Sequence, residues 1–338
     1  MQKNENNYPI DFVIIWVDGN DPEWLEERNK YKPELNTDVR TCRYRDWDNL
    51  HYWFRGVEKF APWVNNIYFV TWGHLPEWLN INHPKLKIIK HEDYIPKKYL
   101  PTFSANPIEL NLHRIKGLSE HFVFFNDDTF IIKKSRRDDF FIKGKPSDFA
   151  VLGVHYYTED TVFHFAAHRA TGIINKHFNF KKVIFKNFKG WFNFKYGFNL
   201  LKTLILLKVP YFPGIWQHHL PSSFCKSTFE TLWEKEYDNL NETCERKFRH
   251  KLDFNQWLFR NWQLATGNFI PRKTNIGKSF DLHKENDLIK TTSYIKKQKG
   301  KMICINDGDL SQDEYEKYKI AVNESFEKIL PEKSKFEL

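Results

Sequence analysis

Two apolar runs in this chain stop abruptly against carboxylates. Ile10-Asp11-Phe12-Val13-Ile14-Ile15-Trp16-Val17 is followed at once by Asp18-Gly19-Asn20-Asp21-Pro22, and His121-Phe122-Val123-Phe124-Phe125 by Asn126-Asp127-Asp128. Short β-branched and aromatic runs of this kind read as buried strands. Unpaired charge is costly to bury, so the acids mark the strands' carboxyl ends. In open α/β sheets that edge is where ligands bind. Adjacent acids there suit a divalent cation carrying phosphate, because hard cations prefer carboxylate oxygens. The plainer alternative is a pair of solvated turns closed by Asx caps, with Asp21 as helix N-cap before Pro22. For the first turn the two readings are compatible, since a helix N-terminus is itself an anion site.

Further runs extend the same pattern. Asn66–Thr71 and Leu86–Lys90 read as strands, Glu23–Lys30 as a helix, and Ser104–Gly117 as a helix with the stripe Ile108, Leu112, Ile115. Glu109, His113 and Arg114 decorate that helix, where a lone histidine is more often structural than catalytic. Helical patterns between apolar strands argue for an α/β fold, a largely parallel sheet with helices on both faces. The 338 residues, 41% hydrophobic and 17% aromatic, suffice for a large core. Four segments are expected: an α/β core over 1–150, a mainly helical insertion over 151–215, a segment over 216–275 packing back onto the core, and a helical tail over 276–338. In the third, Phe229–Tyr237 and Cys244–Phe259 read as helical, with Asp253 as N-cap for Phe254 onward. The tail closes with an amphipathic helix over Ser311–Ile329.

Charge narrows the partners. The net charge is +9, which points to an anionic partner without choosing among nucleic acid, nucleotide phosphates and a membrane surface. From Thr161 to Phe229 there is no Asp or Glu, and lysines alternate with rings, as in FKNFKGWFNFKYGF. That composition suits peripheral contact with a membrane or single-stranded nucleic acid. It equally suits a helical subdomain whose lysines are merely solvated. Arg43, Arg45 and Arg55 form a second basic group, and a guanidinium fork matches phosphate oxygens. His218-His219 alone makes no metal site. Cys42, Cys225, Cys244 and Cys304 are too scattered for a zinc site or a disulfide framework. The polar opening residues carry no signal-peptide core, and no run reaches the length of a membrane span, so the cytoplasm is the expected compartment.

Four stretches together resemble the Stealth family of sugar-1-phosphate transferases. They are WVDGND at Trp16–Asp21; RYRDWDNLHYWFRGVEKFAPWVNNIYFVT with LPTFSANPIELNLHRIKGLSEHFVFFNDD, within Arg43–Phe130; His219-Leu220-Pro221 with Lys226; and Phe248-Arg249-His250 with Asp253. Asn49 and His51 stand where the family usually has an acid and an arginine.

The resemblance implies a Rossmann-like, GT-A-like nucleotide-sugar core. It also implies a reaction in which a glycan hydroxyl attacks the sugar-bearing phosphate of a UDP-sugar, releasing UMP and leaving a phosphodiester in a capsular or cell-surface polysaccharide. The acceptor would be an oligosaccharide, a polysaccharide or a lipid-linked glycan. His219 is the first choice of base, with Asp127 or Asp128 the second. Asp127 and Asp128 would hold Mg²⁺ or Mn²⁺ on the diphosphate. Arg249, Lys226 and an arginine of the Arg43/Arg45/Arg55 group would neutralise its oxygens, and Asp253 would orient Arg249. Substrate contacts are expected at Asp18, Gly19, Asp21, Asp46, Asp48, Ser104, Asn106, Glu109, His113 and Arg114. An ordinary glycosyltransferase is the alternative; a nucleic-acid-binding protein would leave the strand-end acids without a task.

Overall fold

The computed structural model describes residues 8–31, 37–40, 42, 44–155 and 162–338; Arg43 lies outside them. The elements run β1 (Ile10–Ile15), α1 (Pro22–Asn29), α2 (Leu50–Phe60), β2 (Ile67–Thr71), β3 (Leu86–Lys90), α3 (Ala105–Leu110), β4 (His121–Phe125), β5 (Thr129–Ile131), β6 (Phe141–Ile142) and β7 (Lys145–Asp148). Helices α4 (Val162–His177), α5 (Phe180–Lys186), α6 (Phe188–Trp191) and α7 (Leu200–Leu206) follow. Then come β8 (Ser222–Cys225), α8 (Lys226–Lys235), α9 (Tyr237–Glu245), α10 (Gln256–Thr266) and β9 (Ile270–Pro271). The chain closes with β10 (Gly277–Leu282), α11 (Glu285–Lys296), β11 (Met302–Asp307) and α12 (Gln312–Ile329).

The main sheet has the order β3-β2-β1-β4-β8. Its first four strands are parallel, with Phe12 opposite Ile67 on one side and Val123 on the other. Strand β8 is antiparallel, pairing Phe124 with Ser222 and His121 with Cys225. Successive side chains of a strand point to opposite faces. Phe12, Ile14 and Phe125 accordingly enter one core with Trp53, Phe54, Val322 and Phe326 of α2 and α12. Val13, Ile15, Phe122 and Phe124 enter a second core with Leu110, Phe229, Leu258 and Phe259 of α3, α8 and α10. The expected two-faced, largely parallel α/β sheet is present. No helix among the described residues is long and apolar enough to cross a membrane.

Three expectations are corrected. The tail is not all helical: β10 and β11 are parallel strands, and β11 pairs antiparallel with β5. Period-two alternation gives β10 away, since Phe280 and Leu282 are buried while Asp281 between them is exposed. This segment also shares the first core with β1 and α2, so 276–338 is part of the body that contains 1–150. The helix read over Ser104–Gly117 stops at Leu110, followed by a 3₁₀ turn at Leu112–Arg114. The helix read over Cys244–Phe259 is two helices with a loop between them. Asn255 is the N-cap of α10, accepting from the Trp257 amide at 3.1 Å, because the Asp253 carboxylate is committed elsewhere.

Candidate active site

Strand β1 has β2 on one side and β4 on the other. The chain leaves β1 in one direction and later returns to its other edge, which makes the carboxyl ends of β1 and β4 a topological switch point. Doubly wound sheets open a ligand crevice there.

The loop after β1 lines one wall. The Asp18 amide donates to His74 Nε2 at 2.8 Å, and Asp18 Oδ1 accepts from the Asn20 amide at 2.8 Å. Asp21 caps α1, accepting from the Trp24 amide at 2.7 Å. A Cβ on Gly19 would lie 2.0 Å from the Tyr44 carbonyl oxygen, so only glycine lets the two loops close. That contact brings Arg45 and Asp46 to the crevice. Desolvation lowers the His74 pKa against the fields of Asp21 and Asp18. The neutral ring accepts at Nε2 and keeps its proton on Nδ1, 3.9 Å from Asp21.

The turn after β4 is locked by Thr129, whose amide and hydroxyl both donate to the Asn126 carbonyl at 3.1 and 2.7 Å. Asp127 presents its side chain to solvent, yet desolvation, then the charge of Asp46, pushes its carboxyl up to about 6. Asp128 is pushed up to about 7, by desolvation first and then by Asp127. Asp46 is raised by desolvation, with Asp48 and Asp18 adding repulsion. Asp18, Asp46, Asp127 and Asp128 therefore share one field. Arg249 is the cation that draws Asp127 and Asp128 back toward ionisation.

Arg249 sits in the loop between α9 and α10. Its carbonyl accepts from the Asp38 amide at 2.9 Å. Asp253 accepts from the His250 amide at 2.8 Å, from Asn106 Nδ2 at 2.9 Å and from Arg246 Nη1 at 3.1 Å. Asp253 thus fixes the turn that carries Arg249. Ser104 caps α3, accepting from the Asn106 amide at 3.3 Å. Glu109 is buried beneath the loop, accepts from the Gln256 amide at 3.0 Å, and is pushed up to about 7 by desolvation despite Arg249.

The far wall comes from the tail. Ile305 donates its amide to the Asp128 carbonyl at 2.9 Å, which places Asn306 and Asp307 beside the acids. His219 Nδ1 lies 3.5 Å from Asn306 Oδ1, and its ring stacks on Trp257 at 5.3 Å. Asn306 Nδ2 donates to Asp281 Oδ1 at 2.7 Å, which turns the carboxamide oxygen toward His219. Asp307 accepts from Arg45 Nη1 at 3.4 Å, and that guanidinium also donates to the Leu310 carbonyl at 2.9 Å. His74, Asn306, Asp307 and Asp281 were missed from the sequence. Met302–Asp307 carried the signal used elsewhere, an apolar run ended by Asn-Asp; His74, in a loop, carried none.

Other expected site residues are not brought to the crevice. Lys226 follows Cys225, which pairs with His121 at the amino end of β4, roughly 15 Å along the strand from the acids. Arg55 is spent on Glu337 at 2.9 Å, Glu327 at 3.1 Å and the Leu330 carbonyl at 3.0 Å. His113 is buried near Phe229 and Trp233, its pKa pushed down to about 3 by desolvation. Arg114 lies over Trp233, 4.9 Å from the ring centroid. Asp48 lies at the outer edge, with φ of 48°, paired to Lys319 of α12.

Among the described residues no group of three or more His, Cys, Asp or Glu is arranged as a ready-made metal centre. Asp127 and Asp128 nonetheless fit a divalent cation. Asp128 Oδ1 is buried and has no hydrogen-bond partner among the described residues. Mg²⁺ typically takes only one or two carboxylates and completes its shell with water and substrate phosphates.

The chain has relatives of known name. Residues 43–148 match the model of Stealth protein conserved region 2, and residues 8–36 that of conserved region 1. The chain is 46% identical over 336 residues to the capsular polysaccharide phosphotransferase WcwK of Streptococcus pneumoniae, covering 98% of this chain and 99% of that one. It is 42% identical over 335 residues to the receptor polysaccharide phosphotransferase WefC of Streptococcus gordonii, covering 97% and 99%. It is 39% identical over 331 residues to the exopolysaccharide phosphotransferase cps2G of Lactiplantibacillus plantarum, covering 98% and 96%. Mouse xyloside xylosyltransferase 1 overlaps 90% of this chain and 100% of its own at a TM-score of 0.35 and 10% identity, too slight a likeness to bear on fold or function.

Proposed function

Because the chain belongs to the Stealth family and is a phosphotransferase of polysaccharide synthesis, we propose that it moves a hexose-1-phosphate or N-acetylhexosamine-1-phosphate from a UDP-sugar to a hydroxyl of a glycan acceptor, with UMP leaving. The observation that carries this reading is the group Asp18, Asp46, Asp127 and Asp128 at the switch point, faced by Arg249. Glycosyl transfer departs a whole diphosphate. Phosphoryl transfer splits it, and charge builds on the phosphate nearer the sugar.

Each residue then has a task. Arg249 neutralises non-bridging oxygens of the transferred phosphoryl group, held in place by its Asp253-fixed turn. Asp127 and Asp128 would hold Mg²⁺ or Mn²⁺, which when bound would polarise the diphosphate and balance the acids. His219 removes the acceptor proton. With Nδ1 directed at Asn306 Oδ1, the tautomer protonated at Nδ1 leaves Nε2 as the basic nitrogen. Apo geometry of such contacts is often long and tightens with substrate bound.

Incubation with a panel of UDP-sugars, Mg²⁺ and an oligosaccharide acceptor tests the reading. UMP release with a new phosphodiester supports it; UDP release with a plain glycosidic product replaces it by glycosyl transfer.

A further inference from the structure

Between Phe180 and Tyr211 the surface is inverted relative to a solvent-facing subdomain. The inner side is ordinary: Phe180, Ile184, Trp191 and Phe212 are buried in the second core. On the outer side Phe194 and Phe198 are 95% and 93% exposed, with Phe185 and Phe188 also exposed. Leu201, Leu204 and Ile205 of α7 are exposed too. Their i, i+3, i+4 spacing puts them on one face, so the apolar stripe of this helix looks outward. Eight of the fifteen exposed large hydrophobic side chains among the described residues fall in this one stretch, which rules out ordinary scatter over the surface.

The charge around the patch has one sign. Lys182, Lys186, Lys189 and Lys208 are exposed and have no acidic partner among the described residues. Lys195 reaches only the Pro271 carbonyl at 2.8 Å, and Lys202 lies over Trp216, 5.0 Å from its centroid. Rings and aliphatic side chains ringed by unbalanced cations match the boundary between headgroups and acyl chains of an anionic bilayer. A second copy would set lysines against lysines. Single-stranded nucleic acid would stack on the rings, but the Leu201, Leu204, Ile205 stripe offers no π face. The Lys202–Trp216 contact ties the patch to the segment that leads into His219.

We propose that this face docks on an anionic lipid surface, with Phe194, Phe198 and the α7 stripe in the headgroup–acyl boundary and the lysines on lipid phosphates. The full chain is to be co-sedimented with phosphatidylcholine vesicles and with vesicles that also contain phosphatidylglycerol. Binding should be at least about tenfold tighter to the anionic vesicles and should weaken with salt. Phe194→Ser with Phe198→Ser should cut it by about tenfold or more. Lys182→Gln, Lys186→Gln and Lys189→Gln should each cost up to about fivefold. Turnover on a water-soluble acceptor and the far-UV circular dichroism should not change. Vesicle binding that is absent, indifferent to lipid charge or unaffected by the phenylalanine pair would overturn the proposal. So would a solution dimer dissolved by the phenylalanine pair, or an oligonucleotide complex with the same sensitivity in place of lipid binding.

Discussion

Asp127 and Asp128 give up their protons later than ordinary carboxyls, and that delay is testable apart from turnover. Their pKa values of about 6 and about 7 stand above the ordinary carboxylate value. The folded state therefore binds more protons than the unfolded chain between roughly pH 4 and 7, so these two groups make stability fall as pH rises through that window. Asp128→Asn should gain stability relative to the wild type at pH 8, and the gain should vanish below pH 4. Mg²⁺ or Mn²⁺ should raise the wild-type melting temperature at pH 8 more than at pH 5.5, and should do little for Asp128→Asn. Unchanged metal shifts in that variant would remove the carboxylate from the metal site. His219→Ala should fold normally and lose roughly 10²–10⁴ in kcat; near-wild-type turnover would rule it out as the base. Asp127 and Asp128 stood out because an apolar run stops at them; His219 was named only through the family resemblance. Lys226 was misplaced because sequence distance cannot say that β8 runs antiparallel to β4.

The element that aims His219 is the strand-like segment before it, and it hangs on one buried ion pair. Asp148, ending β7, accepts from Arg260 Nε at 2.8 Å and Nη2 at 2.9 Å. Arg260 of α10 also donates to the carbonyls of Trp216 at 2.9 Å and Phe149 at 3.0 Å. Burial works against the Asp148 charge, yet Arg260, then His218, hold it far below the usual carboxylate range. Arg260→Ala removes the forked cation from that buried carboxylate, leaving only His218 and Arg272 to balance it, and should cost about 3–5 kcal/mol, measured by urea unfolding. Arg260→Lys keeps the charge without the fork, so it should remain folded while lowering kcat through a looser His219. Nothing in the sequence singles out Arg260, which lies among the apolar residues of α10. The start of α10 was read two residues early: Asp253 has the look of a helix cap, but its carboxylate serves Arg246, Asn106 and the His250 amide, and Asn255 caps the helix.

Taken whole, the molecule closes on itself through its last segment. Strand β11 supplies Asn306 and Asp307 to the crevice, and α12 covers one face of the parallel sheet with Val322 and Phe326. The parallel half of this plan was readable, because β1, β2 and β4 are dominated by apolar and aromatic residues. The closing half was read as helical, since β10 buries only Phe280 and Leu282 and β5 is only three residues long. Removing residues 276–338 should therefore give an insoluble or molten product rather than an active core; a soluble fragment with sharp near-UV dichroism would contradict the shared core. The same closure sets an order of events at the ribosome. A nascent chain can pair β1, β2, β3 and β4 early, but its crevice lacks a wall until Asn306 and Asp307 have emerged. Sugar-phosphate transfer is thus withheld from chains whose last segment has not yet docked.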